Sequence, residues 1–222
     1  MARLPLFPLG TVLFPGSPLP LQVFEPRYVQ LLRDLAERQP RERVFGVVSL
    51  QRGNEVGADG HPVLAPTGTT ARLTSIRSAQ GGPTGVVLVI ETVGSDRFRL
   101  ESFDATDTPY YVGEVTWLED SAADPEELAR AAAEATRAYD EYVIAVGDDD
   151  DPVAGAPPAR LAYQLATSAA LPVSDRQAVL DEADPVRRLR LVTRLLRREA
   201  LLVGGLRLAP TDRQNFAPPS RN

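Results

Sequence analysis

The chain has 222 residues, of which 43% are hydrophobic and 24% charged, and its net charge is −6. This composition is typical of a globular protein with a sizeable core, and the acidic balance does not favour a polyanionic partner. The absence of cysteine excludes disulfides and thiolate chemistry.

All 24 Lys or Arg positions are arginine, which excludes chemistry that depends on a lysine amine. A GxxxxGK phosphate-binding loop, a Ser-Lys dyad and a Schiff-base lysine are therefore excluded for this chain. The single histidine, His61, lies in a Gly- and Pro-rich stretch that predicts an exposed loop, and one histidine without cysteine cannot build a common zinc site. We expect no metal, no cofactor and no enzyme activity. A small hydrolase that uses carboxylates or His61 is the enzymatic alternative.

The apolar N-terminal stretch 4–14 is broken by prolines and a glycine, which argues against a secretory signal. No apolar run approaches the ~20 residues of a membrane-spanning helix. The sequence therefore predicts a cytoplasmic protein without a membrane partner.

The stretch 24–28 (FEPRY) is predicted to join a strand to a helix over 26–39. Pro26 fits a first helical turn, and Glu25 places negative charge at the positive end of the helix dipole. Phe24 and Tyr28 are expected to be buried. Arg27 can reach back towards the strand side, and Glu25 or Arg27 is expected to make a hydrogen bond across the joint. The alternative is a ligand contact, because a helix N-terminus also holds anions. Four residues form the predicted apolar stripe of the helix, which Pro40 ends: Tyr28, Leu31, Leu32 and Leu35.

β-Branched and alternating patterns predict strands over 43–50, 69–76, 85–93, 97–103 and 110–118. The Gly-Ser-Asp at 94–96 predicts a hairpin turn between two of these strands.

After residue 119 the pattern becomes helical. Helices are predicted over 124–147, 160–171, 174–183 and 184–205, with an acidic solvated loop at 148–159. Asp124 is the expected N-cap of the first helix and Gly147 its stop, while Ser174 and Gln177 have the spacing of a capping box. The last helix carries an arginine face, which is interpreted as solvated: Arg187, Arg190, Arg194, Arg197 and Arg198, opposite Leu189, Val192 and Leu196.

Four segments together resemble the N-terminal substrate-binding domain of Lon proteases. They are LPLFPLGTVLFPGSPLPLQVFEPRY (4–28), VGSDRFRL (93–100), PYYVGEVTWLED (109–120) and LPVSDRQAVLDEADPVRRLRLVTRLLRRE (171–199). The resemblance covers residues 2–205 and is most specific in the first segment. It implies an α+β fold, in which a β-rich PUA-like pseudo-barrel (1–119) precedes a helical bundle subdomain (120–205). The segment 206–222 has no periodicity and is predicted to be a flexible tail. Because the chain ends where the ATPase of a full protease would begin, it resembles the free-standing members of the family.

The resemblance implies a non-catalytic module that binds unfolded or tagged polypeptides or a partner protein, with a protease among the candidate partners. The second alternative is nucleic-acid binding. A PUA-like fold favours this function, whereas the acidic net charge disfavours it. Domain junctions favour ligand grooves, so the Pro-rich segment 14–20 is predicted to form one wall of a peptide site. We expect a bound peptide to cross-link to 10–28 or 85–103. The predicted binding residues are Phe14, Pro15, Leu19, Phe24, Glu25, Arg27 and Tyr28.

Overall fold

The computed structural model describes residues 2–51, 62–80, 86–147 and 156–208. Within these ranges the chain forms six strands and five α-helices, so the α+β prediction is confirmed. The strands are β1 (Ala2–Leu9), β2 (Pro18–Val23), β3 (Val44–Ser49), β4 (Thr67–Gln80), β5 (Val86–Asp104) and β6 (Val112–Leu118). The helices are α1 (Pro26–Ala36), α2 (Pro125–Val146), α3 (Pro158–Ser168), α4 (Val173–Asp181) and α5 (Pro185–Leu208). None of the described helices is long and apolar enough to cross a bilayer.

The sheet closes on itself. β1 pairs in parallel with β3 and antiparallel with β6, and β4 and β5 complete the ring through antiparallel ladders. β2 lies outside the ring, on the first half of β5. Its prolines suit this edge position, because proline has no N–H and an edge strand needs donors on one side only.

The predicted hairpin at 94–96 is wrong, because β5 runs through these residues as one long strand. Its first half pairs with β2 and the distal part of β4, and its second half pairs with β6 and the proximal part of β4. Gly94 does not adopt a positive φ, so its backbone does not make the expected turn. Instead it lets the loop between β1 and β2 approach closely, since a Cβ here would lie 2.1 Å from the carbonyl oxygen of Phe14.

Several helix ends also differ from the predictions. Helix α1 ends at Ala36, before Pro40, and α3 spans Pro158–Ser168 rather than 160–171. The capping box is wrong: α4 begins at Val173 without a side-chain cap, and Gln177 donates instead to the carbonyl of Thr67 and to Asp181. The expected end at 205 is also wrong, because α5 continues to Leu208. By contrast, the caps of α2 are confirmed, since Asp124 accepts from the Glu127 amide and Gly147 has φ 74°.

Hydrophobic residues form separate clusters in the sheet and in the helices. The apolar stripe predicted for α1 is buried and packs on the sheet. The helical core includes Val12 and Phe14, which come from the loop between β1 and β2. That loop therefore ties the sheet to the helices.

Candidate functional site: two surface grooves and the junction that frames them

The FEPRY segment forms the predicted joint between β2 and α1. The Glu25 carbonyl accepts from the amides of Tyr28 and Val29 and so starts the helix. Arg27 donates to the Glu25 carboxylate at 2.9 Å and lies over the Tyr28 ring, with 4.6 Å between the guanidinium carbon and the ring centroid. The expected hydrogen bond at the joint is thus present, and it links the N-cap residue to the first turn.

Tyr28 is buried, as expected, but Phe24 is not. The Tyr28 ring stacks on Phe7 with 4.0 Å between centroids, and burial raises the pKa of its hydroxyl. Phe24 is 44% exposed, so its predicted burial is wrong. The preceding residue, Val23, points into the core, and side chains alternate along a strand, so the next ring is directed to the surface.

The exposed Phe24 ring lines a groove beside helix α1, which we call the α1 groove. Its volume is about 570 Å³, and helix α1 forms one wall while distal residues of β4 and β5 form the other. Leu32 is fully buried and the Ile76 side chain is 38% exposed. The lining is mostly apolar: Phe24, Pro26, Val29, Gln30, Leu32, Arg33, Ala36, Ile76 and Leu88. Exposed apolar residues gathered in one concave place are typical of sites that bind apolar ligand groups.

A second groove lies where the β1–β2 loop meets helix α3, and we call it the junction groove. It measures about 470 Å³, and hydroxyl and amide side chains contribute to its lining. Ser17 and Thr167 are hydrogen-bonded through their hydroxyls at 2.8 Å and hold its two sides together. The lining comprises Pro15, Gly16, Ser17, Pro18, Ala156, Pro157, Arg160, Gln164, Thr167 and Ser168. Part of the predicted wall, segment 14–20, thus borders a groove between sheet and helices.

The seven predicted binding residues fall into different environments. Pro15 lines the junction groove and Phe24 the α1 groove. Glu25 and Arg27 are exposed beside the α1 groove, and Leu19 is half-buried against the sheet core. Phe14 and Tyr28 are buried, so in this conformation they support the grooves from below rather than offering their rings to a ligand.

Phe14 belongs to a series of stacked side chains that anchors the β1–β2 loop. Its ring stacks on Tyr163 at 5.5 Å between centroids, and the Arg176 guanidinium lies 5.3 Å from it. Arg188 in turn lies 4.3 Å from the Tyr163 ring. Burial raises the pKa of Tyr163 to about 12, against the opposing effect of Arg188. The charge-and-ring contacts are attractive and hold the loop that lines the junction groove.

Two buried arginines join the sheet to the last helix through one carboxylate. Arg97 on β5 donates to Asp120 at 2.7 Å, and Arg188 on α5 donates to the same carboxylate at 3.0 Å. Both also donate to the Glu182 carbonyl before α5. The cluster therefore connects β5, the segment between β6 and α2, and the start of α5.

No sequence motif indicated this cluster. Arg188 is fully buried although its neighbour Arg187 belongs to the predicted solvated arginine face, to which Arg188 was not assigned. The available signal is its spacing, because Val192 and Leu195, four and seven residues later, are both buried on the same helix face. Arg33, Ile76 and Leu88 of the α1 groove were also missed, since no local pattern places the distal strands beside α1.

Four other arginines of α5 pair with described acidic residues, whereas no such partner is described for Arg194. Arg190 pairs with Glu127 at 2.8 Å and Arg197 with Glu134 at 3.1 Å, so α2 and α5 are linked at intervals of seven residues. Arg198 pairs with Asp175. These contacts favour the interpretation of an amphipathic helix over a phosphate-binding surface.

A metal centre is not assembled in the described residues. No group of three or more His, Asp or Glu side chains in the ranges that the structure covers could hold a metal ion. His61 and part of the acidic loop 148–159 lie outside the described residues.

Comparison with known proteins identifies the family. The family model of the ATP-dependent protease La (LON) substrate-binding domain matches residues 3–198. The chain belongs to this family. Lon protease 2 of Myxococcus xanthus is 29% identical over 205 residues, which cover 88% of this chain and 24% of that protein. The chain therefore spans about a quarter of the length of this Lon protease.

Two solved structures are similar in fold. The Lon N-terminal domain protein from Xanthomonas campestris is 32% identical, with a TM-score of 0.60, and the match covers 86% of this chain and 96% of that one. The N-terminal domain of the Mycobacterium avium complex Lon protease has a TM-score of 0.61 at 16% identity, covering 88% of this chain and 98% of that one. The second similarity is one of fold.

Proposed function

We propose that this LON substrate-binding domain is a non-catalytic module that binds apolar segments of unfolded polypeptides in the α1 groove. The observation that carries the proposal is the exposure of Phe24 and Ile76 in a concave site of a domain from a substrate-binding family. Apolar surface gathered in this way gains free energy when a ligand side chain displaces water from it.

A polypeptide that is unfolded offers apolar side chains that a native protein hides. The α1 groove has the size of a small-ligand pocket, so it accommodates a few side chains rather than a folded surface. The outer edge of β2 adds main-chain acceptors beside it, although Pro18 and Pro20 have no N–H to donate there. Side-chain burial therefore carries more of the affinity than strand addition does.

The test is a fluorescence-anisotropy titration of the chain with a labelled unfolded polypeptide. Phe24→Ala should weaken binding by about tenfold, since removing an aromatic anchor from an apolar site costs more than about 1 kcal/mol. Trp117→Ala is the matched control, because Trp117 is similarly exposed but lies on β6, outside the lining of the α1 groove. Equal effects of the two substitutions, or no binding at high micromolar concentration, would refute the proposal.

The absence of lysine supports a binding role without ATPase or Ser-Lys peptidase chemistry in this chain. Delivery of the bound polypeptide to a protease in the cytoplasm is the finer form of the proposal, and it draws on the Lon proteases that the chain resembles. Affinity purification of the tagged chain from its native cytoplasm, followed by mass spectrometry, tests it. Recovery of an ATP-dependent protease is the expected result, whereas one folded partner would indicate a dedicated interaction protein.

A further inference from the structure

The α1 groove contains one charged lining residue, Arg33, in the described part of the chain. The Arg33 side chain is exposed in the last turn of α1, where a cation is favoured by the helix dipole. No ion pair joins it to Glu37, one turn further along, or to any other described carboxylate. Its guanidinium therefore keeps donors for a ligand.

Three acidic residues around the groove are engaged elsewhere, whereas Glu37 at the end of α1 is exposed and pairs with no described arginine. Glu25 pairs with Arg27 at 2.8 Å, and Glu91 pairs with Arg77 at 3.1 Å. Asp34 accepts from the Tyr110 hydroxyl at 2.6 Å and from the Gln30 amide at 2.7 Å. Of the described residues that line the groove, Arg33 alone is charged, and Glu37 lies outside this lining.

From this arrangement we infer that the α1 groove selects polypeptide segments in which an apolar side chain is followed closely by a carboxylate. The apolar side chain occupies the surface between Phe24 and Ile76, and the carboxylate accepts hydrogen bonds from Arg33. A guanidinium presents a planar fork of donors that matches a carboxylate, which makes this pairing directional. The inference rests on the proposed function, because it names the class of polypeptide that the groove takes.

The size of the expected preference follows from the exposure of Arg33. An ion pair at the surface contributes little, and the chain as a whole is acidic, so long-range attraction of an acidic peptide is absent. We expect an acidic peptide to bind about threefold to fivefold more tightly than a neutral one, which is the range of a well-formed exposed pair. The preference should shrink as salt is added, because exposed charges are screened.

The experiment uses three labelled peptides of equal length and apolar content, in which the residues flanking the apolar segment are Glu, Gln or Arg. Anisotropy titrations with the full chain give the three affinities. In Arg33→Glu the order should invert, so that the Arg peptide binds best. Arg194→Glu is the matched control, because it changes the net charge equally on an exposed position of α5 that does not line the groove, and it should keep the acidic preference.

The outcomes distinguish a failure of the inference from a failure of the proposed function. Equal affinities for the three peptides would overturn the inference and leave the proposed function intact, while no binding of any peptide would overturn both. An acidic preference that survives in Arg33→Glu would also overturn the inference, since another residue would then recognise the carboxylate. Sedimentation analysis tests whether a second copy of the chain fills the groove instead of a peptide. A dimer that dissociates in Phe24→Ala would assign the groove to that second copy and overturn the inference.

Discussion

Arg97 and Arg188 lie 91 positions apart in the chain and donate to the same carboxylate, that of Asp120. Their side chains are almost completely buried, whereas the carboxylate is partly open to solvent. The other guanidinium N–H groups donate hydrogen bonds to backbone carbonyls, including those of Leu180 and Glu182. One acidic residue in the connection between the sheet and the helices therefore balances buried charge from both.

Asp120→Asn should destabilise the protein strongly. The substitution leaves two buried guanidinium groups beside a neutral amide, and removing one partner of a buried ion pair costs about 3 kcal/mol. Urea unfolding measures the loss. Glu119→Gln is the control, because only the main-chain carbonyl of Glu119 binds Arg97 and its side chain is exposed. A similar small effect of both substitutions would show that solvent balances the arginines.

Tyr28→Ala should lower the melting temperature far more than Phe24→Ala. Tyr28 is 4% exposed and stacks on Phe7, and truncating a buried aromatic costs about 3 to 5 kcal/mol. Phe24 lies at the surface, so its truncation removes little core packing. Differential scanning calorimetry compares the two variants. An unchanged melting curve for Tyr28→Ala would contradict the packing of α1 on the sheet.

Gly94→Ala should destabilise the fold although alanine suits a strand. The added Cβ would lie 2.1 Å from the Phe14 carbonyl oxygen, and backbone atoms cannot move aside easily. Overpacking of this kind costs about 1 to 3 kcal/mol or more. Gly10→Ala is the matched control, since a Cβ added at Gly10 would have no atom of the described residues within 4 Å. Chemical denaturation of both variants gives the comparison, and equal midpoints would argue against the close approach.

Tyr163→Phe should raise stability, because the buried Tyr163 hydroxyl has no hydrogen-bond partner among the described residues. An unsatisfied buried hydroxyl costs about 1 kcal/mol or more. Tyr142→Phe should lower stability instead, because the Tyr142 hydroxyl accepts a hydrogen bond from the Ala170 amide at 3.0 Å. Thermal unfolding of the two variants checks whether their stability changes have opposite signs. A loss of stability in both would indicate that the Tyr163 hydroxyl is satisfied.

The same tyrosine predicts a pH dependence in the alkaline range. Its pKa in the folded chain is raised to about 12, above the ordinary value of 10.0, so the folded state retains a proton that the unfolded state releases. Stability should therefore be fully present below pH 10 and decline as the pH rises towards 12. Unfolding measured across this range should show a smaller slope in Tyr163→Phe than in the natural chain. An equal slope would assign the decline to other groups, such as Tyr110, whose pKa is also raised to about 12.

The positions of helices α1 and α2 could be predicted from residues that lie close together in the sequence. Pro26 and the apolar stripe of α1, and Asp124 and Gly147 at the ends of α2, act within one or two turns, so their spacing is visible in the chain. The Phe24 to Tyr28 segment was correctly predicted as a joint for the same reason. The resemblance to Lon substrate-binding domains also depended on local motifs, and the family comparison confirmed it.

Tertiary structure alone decided the features that depend on distant partners. The residues at 94–96 have the composition of a turn, but pairing with β4 and contact with Phe14 keep them in one strand. Arg188 has the sequence context of a surface charge, yet Asp120 and Tyr163 surround it in the fold. The α1 groove likewise needs β4 and β5 to lie beside α1. The periodicity of a sequence indicates which side of a helix or strand is apolar. Only the packed chain brings together the distant residues that balance a buried charge or line a groove.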